Sequence, residues 1–167
     1  MRENVLRLSL FLMIVVIGLP ARAENVDATL SVGALVVANC QVTVSDVSFG
    51  AYDPLGSNAS VGLDTASRLS LMCTKDVIAT VGLDEGLNAD GGAGGRQMAL
   101  SDFRLTYDLF RDGERRQRWS DGEFAVRLTG TGDLSRPQDL VVYGRIPPGQ
   151  VVPAGTYSDV VTARVDF

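Results

Sequence analysis

Histidine is missing from this sequence altogether, and cysteine occurs only twice, at Cys40 and Cys73. Without an imidazole, no side chain has an ordinary pKa near neutrality to serve as a general base. No serine sits in the Gly-x-Ser-x-Gly elbow of a hydrolase either. Carboxylate pairs could serve glycoside hydrolysis, but Asp and Glu fall mostly in turns, where Asp is expected for its bonds to the backbone. Two cysteines without histidine cannot complete a soft-metal site. These absences argue against an enzyme and predict no catalytic residues, no metal, no cofactor and no small-molecule substrate.

Long apolar runs are equally scarce. The one candidate is residues 8–20 (LSLFLMIVVIGLP), which follows Arg2 and Arg7 and precedes Ala21-Arg22-Ala23. A positive start, a short apolar stretch and a small-x-small site make residues 1–23 a secretion signal rather than a membrane anchor. Cleavage after Ala23 would remove three of the 15 basic and one of the 20 acidic side chains, leaving 12 against 19 and a net charge of −7 over 144 residues. That balance argues against nucleic acid and anionic membranes as partners. A chain of this length makes about one domain. In an exported protein Cys40 and Cys73 are expected as a disulfide, which closes a loop worth roughly 3 to 4 kcal/mol in the chain-entropy picture. Free thiols or a metal pair are the alternatives.

Helical periodicity is also absent: no segment sustains it for three turns, and there is no internal repeat or linker. What the chain has instead is alternation. Residues 24–37 (ENVDATLSVGALVV) place Val26, Ala28, Leu30, Val32, Ala34 and Val36 on one face, with Asn25, Asp27, Thr29, Ser31 and Gly33 on the other. This arm reads as a strand seeking a sheet edge, and the edge is expected to belong to another copy. Further strands are predicted over residues 39–47, 67–74, 77–83, 103–110, 117–119, 124–128, 140–146 and 157–167, with turn residues between them. Residues 84–97 read as a glycine-rich loop and 111–113 as a hairpin turn. Many short strands at regular spacing mean an all-β sandwich or barrel. In the last strand Tyr157, Val161, Ala163, Val165 and Phe167 share a face on which Asp159 is the polar exception.

Other motifs carry little chemistry. Gly91 to Gly95 (GGAGG) lacks the Lys-Ser/Thr of a phosphate loop. Asn88-Ala89-Asp90-Gly91 resembles a calcium loop, yet Gly86 occupies the first ligand position and no acidic residue closes it. Residues 111–118 (RDGERRQR) form the one basic cluster, read as a solvated hairpin tip, with a glycan or surface contact as the alternative. Trp119 reads as core, and Asn58-Ala59-Ser60 matches the glycosylation sequon.

In order along nearly the whole mature chain come Asn39-Cys40, Phe49-Gly50-x-Tyr52-Asp53-Pro54, Cys73-Thr74 and Gly95-Arg96-x-Met98. Leu105-x-Tyr107-x-Leu109-Phe110-x-Asp112, Trp119, Val142-Tyr143-Gly144-Arg145-Ile146-Pro147-x-Gly149-Gln150 and Gly155-x-Tyr157-Ser158-Asp159 follow. Together they resemble the spore coat protein U family, pilins of the archaic chaperone–usher pathway. The resemblance implies an all-β fold, an incomplete immunoglobulin-like sandwich lacking its last strand, in residues 38–167. It implies a periplasmic chaperone, an outer-membrane usher and identical or related pilin subunits as partners. Secretion through the periplasm would end in an extracellular surface fibre, serving attachment and biofilm or a coat layer. On this pattern Val26, Ala28, Leu30 and Val32 of the arm enter a neighbour's groove. The strand bearing Val161, Ala163, Val165 and Phe167, with the Phe167 carboxylate, is what the chaperone grips. Cys40 and Cys73 staple the first strand to the sheet. A fibre-tip adhesin is the alternative, although a tip subunit would usually carry a second domain and need no donor arm.

Overall fold

The computed structural model describes Arg22, residues 24–90 and residues 95–167, and the chain divides into two compact units, Met1–Leu35 and Val36–Phe167. The expected secretion signal, Arg22 apart, and Gly91 to Gly94 of the glycine-rich loop lie outside the described residues. In the first unit, residues 24–35 form no strand or helix. Val26, Leu30 and Val32 are 91%, 88% and 89% exposed. An alternating strand pattern with no sheet to join stays irregular, because a lone strand leaves its peptide groups to water.

Among the described residues the second unit holds eight strands: β1 (Cys40–Val44), β2 (Leu63–Cys73), β3 (Ile78–Leu83), β4 (Arg96–Leu100), β5 (Phe103–Phe110), β6 (Val126–Thr129), β7 (Gln138–Ile146) and β8 (Ala163–Asp166). A 3-10 turn, Gly122–Phe124, precedes β6. The strands build two antiparallel sheets, ordered β1-β2-β7-β5-β4 and β6-β3-β8. Every second side chain of β2, β5 and β7 points inward, so Leu69, Leu71, Leu105, Leu109, Val142 and Ile146 meet Ala79, Val81 and Leu83 of the smaller sheet in one core. Period-two patterning thus places the core between two layers. Trp119 lies fully buried in it, as expected, and its indole N–H donates to the Val81 carbonyl at 2.9 Å.

Several strand boundaries differ from the sequence reading. β2 starts at Leu63 rather than Ser67, because its polar first half still pairs with β7, Leu63 opposite Ile146 through Leu71 opposite Gln138. β4 lies outside the expected strands: its first two residues, Arg96 and Gln97, fall in the stretch read as loop and residues 98–100 follow it, too short a run to show alternation. Residues 117–119 return only as a single bridge, Phe110 to Arg118. The last strand is confined to Ala163–Asp166, so Val161 precedes the ladder and Phe167 follows it.

One buried cation ties the layers together. Arg96 of β4 is fully buried and donates to the carbonyls of Leu83 (3.0 Å), Asp84 (2.8 Å) and Trp119 (2.7 Å), and to Asp108 of β5 (2.9 Å). Asp108 in turn takes Arg118 at 2.7 Å, and Arg118 pairs with Glu85. A buried guanidinium is tolerable only when its donors are met, and removing one partner from such a pair typically costs about 3 to 5 kcal/mol. Arg96→Met is expected to lower unfolding free energy by about that amount; guanidinium denaturation of the oxidised protein measures it.

Candidate functional site

The two sheets part along one seam. β1 is one outer strand of the larger sheet, β4 being the other, and β8 is one outer strand of the smaller sheet, β6 being the other. Between the chain continuing β1 (residues 44–49) and the chain leading into β8 (residues 157–163) lies a groove of about 400 Å³. Its floor is core: Leu69, Leu83, Leu109 and Val142, with Met98, Val47 and Phe49 at the sides.

Both walls are braced from behind. On the first wall, the Ser45 N–H donates to the Arg68 carbonyl (2.9 Å). The Ser67 hydroxyl donates to the carbonyls of Ser45 (2.7 Å) and Asp46 (3.0 Å), and that of Thr65 to Ser48 (2.7 Å). The Phe49 ring rests on Gly144, where a Cβ would come within 2.7 Å of it, and meets the Tyr107 ring edge-on at 5.9 Å. Glycine at 144 is therefore required by the ring. The disulfide between Cys40 and Cys73 closes the far end of the same β1–β2 pair.

The second wall is held by alternate residues. Ser158 exchanges hydrogen bonds with Ala99 (2.8 and 3.2 Å), and the Val160 carbonyl accepts from Leu87 (3.1 Å). The Thr162 carbonyl accepts from the Asp84 N–H (3.0 Å), while the Thr162 N–H donates to Asp84 Oδ1 (2.9 Å). In an antiparallel strand, successive peptide groups point to opposite sides. Those of residues 159, 161 and 163 therefore face the groove.

Asp159 is the acid on the second wall of the groove, whose lining also includes Ser45, Asp46, Arg68 and Ser158. Its Oδ2 accepts from the Tyr107 hydroxyl at 2.8 Å, and its Oδ1 from the Asn88 backbone and side-chain amides at 3.2 and 2.9 Å. Burial, and then the Asp159 carboxylate, push the Tyr107 hydroxyl well above its ordinary pKa, so it stays a donor. Asn88, read as part of a calcium-loop pattern, spends its side-chain amide on Asp159 and Ser158.

The expected site residues are distributed accordingly. Val161 and Ala163 line the groove, Val165 packs on the core from β8, and Phe167 is half exposed. Val26, Ala28, Leu30 and Val32 lie in the exposed arm, and Cys40 is joined to Cys73. Sequence reasoning missed the first wall and the Tyr107–Asp159 pair, although an acid on an otherwise apolar face was the available signal. Asn58 is 5% exposed and its amide donates to the Val61 carbonyl (3.1 Å), so the sequon asparagine is committed to a turn. The basic cluster is also largely engaged. Arg115 reaches the Gly144 carbonyl (3.2 Å), the Tyr143 ring and Asp64, and Arg111 bonds Gln117 (2.9 Å).

Asp84 is the hinge pin of the second wall. Burial opposes its ionisation, but hydrogen bonds from the Thr162 and Gly86 amides, with Arg96 nearby, outweigh it and hold the carboxyl below its usual range. A depressed folded pKa gives stability that is present above the unfolded value and lost as pH falls through the folded one. Asp84→Asn is expected to cost about 1 to 2 kcal/mol at pH 7, and that difference is expected to shrink once pH falls through the ordinary carboxylate range and to close only under the depressed folded value, as denaturation across the acid range would show.

The Spore Coat Protein U domain family matches residues 26–164. Protein U of Myxococcus xanthus is 33% identical over 89% of this chain and 88% of its own length. Among solved structures, the chaperone–tip adhesion subunit pre-assembly complex CsuC–CsuE, from the archaic chaperone–usher Csu pili of Acinetobacter baumannii, is similar with a TM-score of 0.59. It is 25% identical over 79% of this chain; the chain spans 40% of the matched one. The sandwich with its open seam is thus an incomplete immunoglobulin-like fold, its family is structural rather than enzymatic, and the chain belongs to the Spore Coat Protein U domain family.

Proposed function

We propose that this chain is a subunit of a secreted chaperone–usher fibre, polymerising when the N-terminal arm of one copy fills the groove of the next. The observation that carries the reading is the coexistence, in one chain, of an apolar groove between two sheet edges and an exposed arm with matching alternation. Strand addition to an exposed sheet edge is an established mode of recognition, and chaperone–pilin pairing is one of its known instances. The arm at residues 24–37 is the donor segment and residues 38–167 form the acceptor domain. Val26, Ala28, Leu30 and Val32 present the apolar face. Val161, Ala163, Val165 and Phe167 mark the strand that receives it, first from a periplasmic chaperone and then, at an outer-membrane usher, from a sibling subunit.

Each Val or Leu that enters contributes roughly 1.5 to 3 kcal/mol of burial, so a few anchors hold a subunit before backbone pairing is counted. The contact is head-to-tail, and such contacts extend into filaments when the rotation does not close. The similarity to a pilus subunit solved with its chaperone supports this partner set. Export through the periplasm to a surface fibre, for attachment, biofilm or a coat layer, follows from the same reading. A subunit that must pass its arm onward fits a repeating position better than a terminal one, which keeps the fibre-tip adhesin as the second reading.

Deleting residues 24–32 is expected to leave a folded complex with the chaperone that accepts a donor but cannot act as one. Mixed with intact subunits, it would cap chains at a single end, read by polymer length on unheated gels. Unimpaired polymer growth from the truncated subunit alone would refute the reading.

A further inference from the structure

The groove is not uniformly receptive, and the arm is not uniformly large. Within the acceptor strand the inward side chains run Tyr157, Asp159, Val161, Ala163 and Val165. The arm offers Val26, Ala28, Leu30, Val32, Ala34 and Val36. Both alternate with a spacing of two, so sequence periodicity alone permits every even shift of one against the other.

Asp159 breaks that degeneracy. Its carboxylate is fixed on both oxygens by Tyr107 and Asn88. It also packs directly against the backbone of Gly86, where an added Cβ would collide with Oδ2. Three donors hold the carboxylate in place and Gly86 backs it, so a covering strand can pass over it without leaving the charge unsolvated. What it cannot accept is a large side chain directly opposite. In the arm the small residues on the apolar face are Ala28 and Ala34.

Resting on the fibre reading above, we propose that the Tyr107–Asp159 pair sets the register of arm insertion by admitting only Ala34 opposite Asp159, with the arm antiparallel to the acceptor strand. Directly opposed residues share a face. The remaining pairs then follow: Val36 opposite Tyr157, Val32 opposite Val161, Leu30 opposite Ala163, Ala28 opposite Val165 and Val26 opposite Phe167. Large meets small at Leu30 and Ala163, and again at Ala28 and Val165. A shift of two toward the arm's start puts Val32 on the carboxylate, and the opposite shift puts Val36 there. Bringing Ala28 to Asp159 in the antiparallel sense would leave Glu24 opposite Ala163 in the apolar groove. Among parallel arms, one with Ala34 opposite Asp159 would bring Cys40, already held in β1, opposite Val165; one with Ala28 there is the rival that also spares the carboxylate, and antiparallel pairing is slightly favoured per residue.

The test uses full-length chain produced with its chaperone and usher, and polymers recovered from the cell surface. Ala34→Leu is expected to reduce polymer by roughly tenfold to hundredfold, the scale of an overpacked contact, while Ala28→Leu still assembles. Both substitutions lie in the exposed arm, so recovery of each chaperone complex verifies that the domain itself has folded. Direction is read separately by cysteine pairs on the outward face. Thr29→Cys with Arg164→Cys is expected to cross-link neighbouring subunits in polymers, and Thr29→Cys with Val160→Cys is not. Loss of polymer for Ala28→Leu alone, equal behaviour of the two leucine variants, or cross-linking through position 160 would each overturn the register. Failure of the unsubstituted chain to polymerise at all would overturn the fibre reading instead, and the register with it.

Discussion

A peptide group at a sheet edge has a donor and an acceptor to satisfy, and here two such edges face each other over an apolar floor. Water can meet the peptide groups but cannot favourably cover Val47, Phe49, Met98 and Val161, the half-buried apolar lining above that floor; an apolar side chain can do the reverse. A strand does both at once. That double demand explains why the surroundings are built as bracing. Ser67 and Thr65 hold one wall by their hydroxyls, and Asp84 and Asn88 hold the other. Left unbraced, the walls would collapse toward each other and fill the seam from within.

An open seam also needs the sheets to be fastened elsewhere. Arg96 supplies that, because its guanidinium reaches both the end of β3 and the chain around Trp119 from its place on β4. A hydrophobic side chain could fill the same volume but would leave the carbonyls of Leu83 and Trp119 without donors. The choice of a buried cation therefore follows from backbone groups that no strand partner satisfies at the rim of the sandwich. Asp108 then neutralises it, and Arg118 and Glu85 carry the network outward to solvent.

Alternation made much of this legible in advance. Residues 103–110 form β5 where the pattern of Phe103, Leu105, Tyr107 and Leu109 placed it, and Cys40 and Cys73 pair as an exported chain suggests. The strand at 96–100 stayed hidden because it is only five residues long, starts at the end of the glycine-rich stretch and has too few alternating positions to stand out. The groove's first wall was illegible for a different reason. Residues 45–49 are held by side-chain hydroxyls from β2 rather than by a regular ladder, and no local periodicity encodes a partner that is distant in sequence. Asp159 was visible as an anomaly, but its partners come from residues 88 and 107, and only the fold brings those together.

The same physics limits how good a donor can be. A segment apolar on both faces would bind an edge strongly and also stack with its own copies, as exposed β-prone segments without charge do. This arm avoids that with Asn25, Asp27, Thr29, Ser31 and Gly33 between its apolar positions. Half of any strand it forms is therefore suited to water, and only a surface offering an apolar floor and free peptide groups together can use the other half. Small residues at 28 and 34 weaken it further against a generic surface, since each sacrifices burial that valine or leucine would supply. A groove whose shape requires a small side chain recovers that sacrifice as selectivity, while a flat apolar surface does not. On the proposed register, affinity for the right groove and restraint toward everything else would come from one pattern, large residues opposite small ones and a small residue opposite Asp159.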